Sequence, residues 1–139
     1  MMLKHPYVNK EFVPDLMWFV GQFDVYDREE TRGAMLEVYN PDNEHDRLEL
    51  IRKYGLDLKC LSYRHKYVLL SFLEEKLNDP DFDFQSVFYI EEDCAGSWPR
   101  GEWYNLKNPR EFFRNVYVIA KEKWKEDVEK AALEDPFDW

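Results

Sequence analysis

The sequence predicts a mainly α fold, an α+β arrangement of about four or five helices with a small antiparallel β element. Three observations predict it. Apolar residues recur at helical spacing in long segments. Helix-starting and helix-stopping residues bracket the clearest of these segments. One short run, Ser-Val-Phe-Tyr-Ile at 86–90, is instead β-branched and aromatic.

Each element follows from its own residues. Residues 15–26 carry Leu16, Phe19, Val20 and Phe23 at helical spacing, within a composition that also suits a strand. Residues 28–39 read as another helix. Residues 42–54 predict a helix with Leu48, Ile51 and Tyr54 inward, and Gly55 as its stop. Residues 62–77 predict a longer helix. Its apolar face is Val68, Leu69, Phe72, Leu73 and Leu77, and Asn78, Asp79 and Pro80 end it. The strand is expected at 85–91. A lone strand leaves its backbone groups unpaired, so it needs a partner, for which 103–106 is one candidate, with a turn-rich loop at 94–101 between them. The last helix has the strongest signature: Asn108 as N-cap, Pro109 at the first position and Glu111 three residues after the cap. Phe113, Val116, Tyr117, Ala120, Trp124, Val128 and Ala131 then repeat at helical spacing. One helix to about Leu133, stopping before Pro136, is the expectation.

Bulk composition narrows the function classes. A chain of 139 residues fits a single domain, 1–139. Leu, Ile, Val and Phe number 37, enough apolar material to exclude a disordered polymer. No apolar run nears the roughly 20 residues that span a bilayer, so no membrane partner is expected. The net charge of −10 argues against a general nucleic-acid binder. The opening residues, with Lys4, His5, Pro6 and Lys10, do not read as a signal peptide. Cys60 and Cys94 are then expected as free thiols in a reducing cytoplasm.

The charge is unevenly distributed. Residues 71–105 carry nine acidic groups against two basic ones, whereas residues 46–70 carry six basic against three acidic. The acidic quarter contains Asp79, Asp81, Asp83, Glu91, Glu92, Asp93 and Glu102, together with Trp98, Trp103 and Tyr104. Carboxylates beside exposed rings make a docking surface for a cationic protein. The charges raise the on-rate, and the rings supply buried contact area. These ten residues are the expected partner-binding set.

No catalytic, metal or cofactor site emerges from the sequence. Asp79, Asp81 and Asp83 match the opening of a calcium loop, but the pattern then fails. Phe84 stands where glycine is needed and Ile90 where a bidentate glutamate is needed. His5, His45 and His65 are far apart, and no paired cysteines occur. His65 flanks an apolar stripe and reads as a packing histidine. Cys94 follows Glu91, Glu92 and Asp93, whose charges suppress the thiolate that catalysis needs. The same acids beside Trp98 and Trp103 could suit a sugar, but few other polar groups accompany them. The basic block of Arg47, Arg52, Lys53, Lys59, Arg64 and Lys66 reads as helix solvation rather than a phosphate site.

By overall character, the chain resembles bacterial toxin immunity proteins of the contact-dependent or colicin-like type. The resemblance rests on short length, the acidic 71–105 block with Trp98, Trp103 and Tyr104, and the missing catalytic motif. It implies a non-enzymatic, cytoplasmic inhibitor that occludes the active site of a basic toxin or nuclease. The alternatives are a non-catalytic scaffold or regulatory homodimer, and a small enzyme of unrecognised type.

Overall fold

The computed structural model describes residues 3–20, 23, 34–56, 60–88, 103, 106–135 and 139. Among them the fold is mainly helical. Six α-helices appear: α1 (Met17–Val20), α2 (Ala34–Leu36), α3 (Glu44–Leu50), α4 (Tyr63–Leu77), α5 (Pro109–Lys123) and α6 (Lys125–Ala132). A π-helical turn (Ile51–Gly55) continues α3, and a 3-10 turn (Phe84–Phe88) follows α4. No described helix is long and apolar enough to cross a membrane.

Helix α4 starts and stops where its residues dictate. The Ser62 side chain accepts from the His65 N–H, and the His65 ring accepts from the Ser62 N–H, a reciprocal cap. Asn78 closes the C-terminal end. Asn108 likewise caps α5, accepting from the Glu111 N–H at 3.1 Å. Asn43 caps α3 through the Asp46 N–H. α3 is shorter than the expected 42–54 because its last turn widens into the π turn. Gly55 lies inside that turn, where a Cβ would stand 3.1 Å from the Phe23 ring. The glycine allows a close approach rather than a left-handed stop.

The expected single helix to Leu133 is instead two. Trp124 adopts φ −102° and ψ 15°, leaving helical geometry between α5 and α6. The bend lays α6 along α4, where Lys66 pairs with Asp127 at 2.9 Å and Ala131 is buried. The Trp124 indole stacks on Phe19 at 6.0 Å with Lys66 Nζ over its ring.

Two further expectations are corrected. Residues 84–88 form a 3-10 turn, not the start of a strand, and the only bridge among the described residues joins Lys4 to Glu11. The reason lies in Gln85. Its side-chain amide donates to the Trp103 carbonyl (3.2 Å) and accepts from the Leu106 N–H (2.9 Å). Among the described residues, the expected neighbours meet through this side chain. Residues 89–91 and 104–105, which complete that strand pair, lie outside the described residues. So do 24–33, which include the first part of the helix expected at 28–39; the described part keeps only α2.

One connected cluster of buried residues forms the core. Its centre is aromatic. Phe23 stacks on Trp103 at 5.1 Å, Phe112 meets Phe88 edge-on at 5.4 Å, and Phe113 packs on Phe84 at 5.1 Å. Offset and edge-on pairs suit the ring quadrupole and add about 0.5–1.5 kcal/mol each beyond area burial. Leu16, Phe19, Val20 and Phe23 all reach this core, so their helical spacing identified buried positions even though α1 spans only one turn.

Candidate functional site

The acidic surface begins at the end of α4. Glu74 and Glu75 are exposed near its C-terminus, where the helix dipole already carries negative character. Lys76 is the basic residue of that last turn, and its ammonium rides on the rings of Phe72 and Phe82. Carboxylates here cost helix stability, so their placement is not explained by the needs of the helix.

The loop that follows is braced from beneath. Asp79 and Asp83 each accept the backbone N–H two residues on, at 3.0 and 3.1 Å, closing two tight turns. The guanidinium of Arg110, from the first turn of α5, donates to the carbonyls of Leu77 (3.0 Å), Asp79 (2.8 Å) and Phe82 (3.1 Å). It also lies 4.7 Å over the Phe84 ring. Its donors go to backbone carbonyls rather than to carboxylates. Asp79, Asp81 and Asp83 stay exposed, and none of the described ion pairs engages them. Asp79 and Asp83 use side-chain oxygens for turn closure, and no group of three potential metal ligands gathers among the described residues.

Trp103 does not belong to this surface. It is 0% exposed, enclosed by Phe23, Phe88 and Phe112. The expectation of an outward anchor is corrected: a ring this deep in the core cannot meet a partner without opening the fold. Glu91, Glu92, Asp93, Trp98, Glu102 and Tyr104 lie outside the described residues, as does Cys94. Of the ten expected contact residues, the structure brings Asp79, Asp81 and Asp83 together on one braced loop.

A groove opens beside this acidic end. It has a volume of about 440 Å³ and runs between the N-terminal segment and α4. Leu3 and Phe12 form one side, Val68 and Phe72 the other, and Tyr67 and Trp139 meet edge-on at 5.8 Å along its wall. Among the described lining residues Glu11 and Glu75 supply the charge, with no lysine or arginine. Sequence reading missed this site because its residues come from three distant segments, with no local motif. Arg110 was missed for the same reason.

The basic block, by contrast, is largely used internally. Arg47 is buried and donates to Asn115 Oδ1 (2.7 Å) and the Pro41 carbonyl (3.3 Å). Lys53 pairs with Glu49, Arg64 with Glu134 and Lys66 with Asp127. The Glu49 carboxylate raises the Lys53 pKa, and the Glu134 carboxylate raises that of Arg64. The hydroxyl of Tyr63 does most to hold Glu134 below the ordinary glutamate range; burial opposes it, and the Arg64 guanidinium and the Trp139 indole add to the lowering. Cys60 is a half-buried free thiol, and its hydrogen bond with Tyr7 pushes that phenol up. His65 is the packing histidine expected: buried, capping α4, and edge-on to Phe12 at 4.8 Å.

Comparison with known proteins returns no matching family model, no matching curated protein and no matching solved structure.

Proposed function

We propose that this chain is an acidic binding protein that docks a cationic protein partner. Its character resembles that of toxin immunity proteins, and in that reading it neutralises a basic toxin or nuclease by covering the active site. It works in the cytoplasm and acts by occupancy rather than catalysis. The observation that carries the reading is the braced loop: Asp79, Asp81 and Asp83 are exposed on closed turns, with the donors of Arg110 engaged by the backbone beneath them.

Two features support it. Five exposed carboxylates, counting Glu74 and Glu75, face two local cations, Lys76 and Arg110, so this end of the molecule has a negative field. The loop is also held before any partner arrives, which lowers the ordering cost of association. A cationic nuclease cleft built for phosphates is a natural complement to such a surface.

The test uses the product of the gene adjacent to this one, purified and titrated with the chain by calorimetry. A one-to-one complex, whose on-rate falls steeply with salt and in which the partner's activity is lost, is the expected result. Association that leaves the partner's activity intact rejects the inhibitor reading. Self-association in sedimentation, with no heterocomplex, favours a homodimeric scaffold instead.

A further inference from the structure

We propose that the groove between the N-terminal segment and α4 is an arginine-accepting pocket for the cationic partner, an inference that rests on the binding reading above and assigns it a specific contact. Its chemistry is that of an amphipathic cation. The apolar sides formed by Phe12, Val68 and Phe72 suit the three-methylene stem of arginine. The half-buried Tyr67 ring offers a face on which a planar guanidinium stacks. Trp139, already carrying Arg64 over its ring at 5.6 Å, backs Tyr67 edge-on. Glu11 and Glu75 offer carboxylates for the five N–H donors, and none of the described ion pairs already occupies either.

Charge decides the class of occupant. Lys4 stands across the bridge from Glu11, but no described ion pair joins them, and it does not line the groove. Lys76 is held over Phe72 and Phe82 and is not part of the lining either. Phosphates of a nucleic acid or an anionic lipid surface would meet two carboxylates that none of the described ion pairs engages. Glu75 also belongs to the acidic end of α4, so the groove is continuous with the proposed docking surface. The volume of about 440 Å³ lies within the range of established binding clefts and admits a side chain with its flanking backbone.

The test is a titration of the full chain, labelled with nitrogen-15, with a capped Gly-Arg-Gly peptide and with its citrulline counterpart. Citrulline keeps the shape and removes the charge. The arginine peptide should shift the amides of residues 67–75 and the Trp139 indole N–H, and the citrulline peptide should not. Glu11→Gln and Glu75→Gln should each weaken the arginine peptide by about 3- to 10-fold, the loss expected for one exposed charge-assisted contact. Glu126→Gln, at an exposed position on α6, should leave it unchanged. Equal shifts from both peptides, or unaltered affinity in both glutamate variants, would overturn the pocket. Arginine-dependent shifts confined to Asp79, Asp81 and Asp83 would discard the pocket and leave the acidic-surface reading standing. Absence of any arginine-dependent shift would discard both.

Discussion

His65 Nε2 lies 2.6 Å from the carbonyl oxygen of Lys4. A carbonyl only accepts, so Nε2 carries the proton, and Nδ1 is left as acceptor for the Ser62 N–H at 3.2 Å. One imidazole therefore caps α4 and ties the N-terminal segment to it. That tie holds Leu3 and Phe12 opposite Val68 and Phe72, which are the two sides of the groove.

His65→Leu keeps much of the packing volume and removes the ring's hydrogen bonds to Ser62 and Lys4. It should cost about 1–3 kcal/mol, the penalty for leaving part-buried backbone groups without partners. Urea denaturation measures the loss. Hydrogen exchange at Phe12, whose N–H donates to the Leu3 carbonyl at 2.7 Å, should accelerate more than exchange in α5. A variant as stable as the parent would show that the tie contributes nothing.

Trp103→Ala should destabilise the protein by about 3–5 kcal/mol, as expected when a buried indole is removed from a close-packed core. The readout is the midpoint and slope of chemical denaturation. A docking residue at the surface would instead leave stability within about 0.5 kcal/mol.

Arg110→Met should loosen the acidic loop while leaving α5 intact. It deprives the carbonyls of Leu77, Asp79 and Phe82 of their donor, at about 1–3 kcal/mol. Amide exchange at Asp81 and Gln85, whose N–H groups close the two turns, should rise. Binding of the cationic partner should weaken because the loop must then be ordered on association.

The pH dependence follows from Glu134. Its carboxylate accepts from Tyr63 (2.7 Å), Arg64 (2.9 Å) and the Trp139 indole (3.0 Å), so its pKa is lower in the folded chain than in the unfolded one. Stability from this site is therefore fully present above the ordinary glutamate range. It is lost as pH falls through the depressed folded value, on the acid side of the ordinary glutamate range. The Trp139 indole N–H resonance should move in that acid window in the parent and stay in its shifted position at all pH values in Glu134→Gln. Movement at neutral pH instead would contradict the assignment.

The long amphipathic segments are legible in the order of the residues. Ser62, Asn78 and Asn108 mark helix ends because a side-chain oxygen can satisfy an end N–H, or a residue can leave the helix, by local chemistry alone. The apolar spacing likewise identifies Phe19, Leu69, Leu73, Phe113 and Val116 as core. The break at Trp124 is not legible there, because it follows from the need of α6 to lie on α4, and no proline or glycine marks it. Nor is the 3-10 turn at 84–88, where the Gln85 side-chain amide reaches the backbone of the distant Trp103 and Leu106.

The sequence by itself determined that the chain is acidic, mainly helical and amply supplied with apolar residues, since charge and 3.6-residue periodicity are properties of the residues in order. Only the tertiary structure decided where each ring sits. Trp103 and Trp139 are both buried indoles in an acidic chain, yet one lies inside the aromatic core and the other backs a groove beside Glu11 and Glu75. Burial depends on which distant segments fold against a residue, and that information is not carried by its neighbours along the chain.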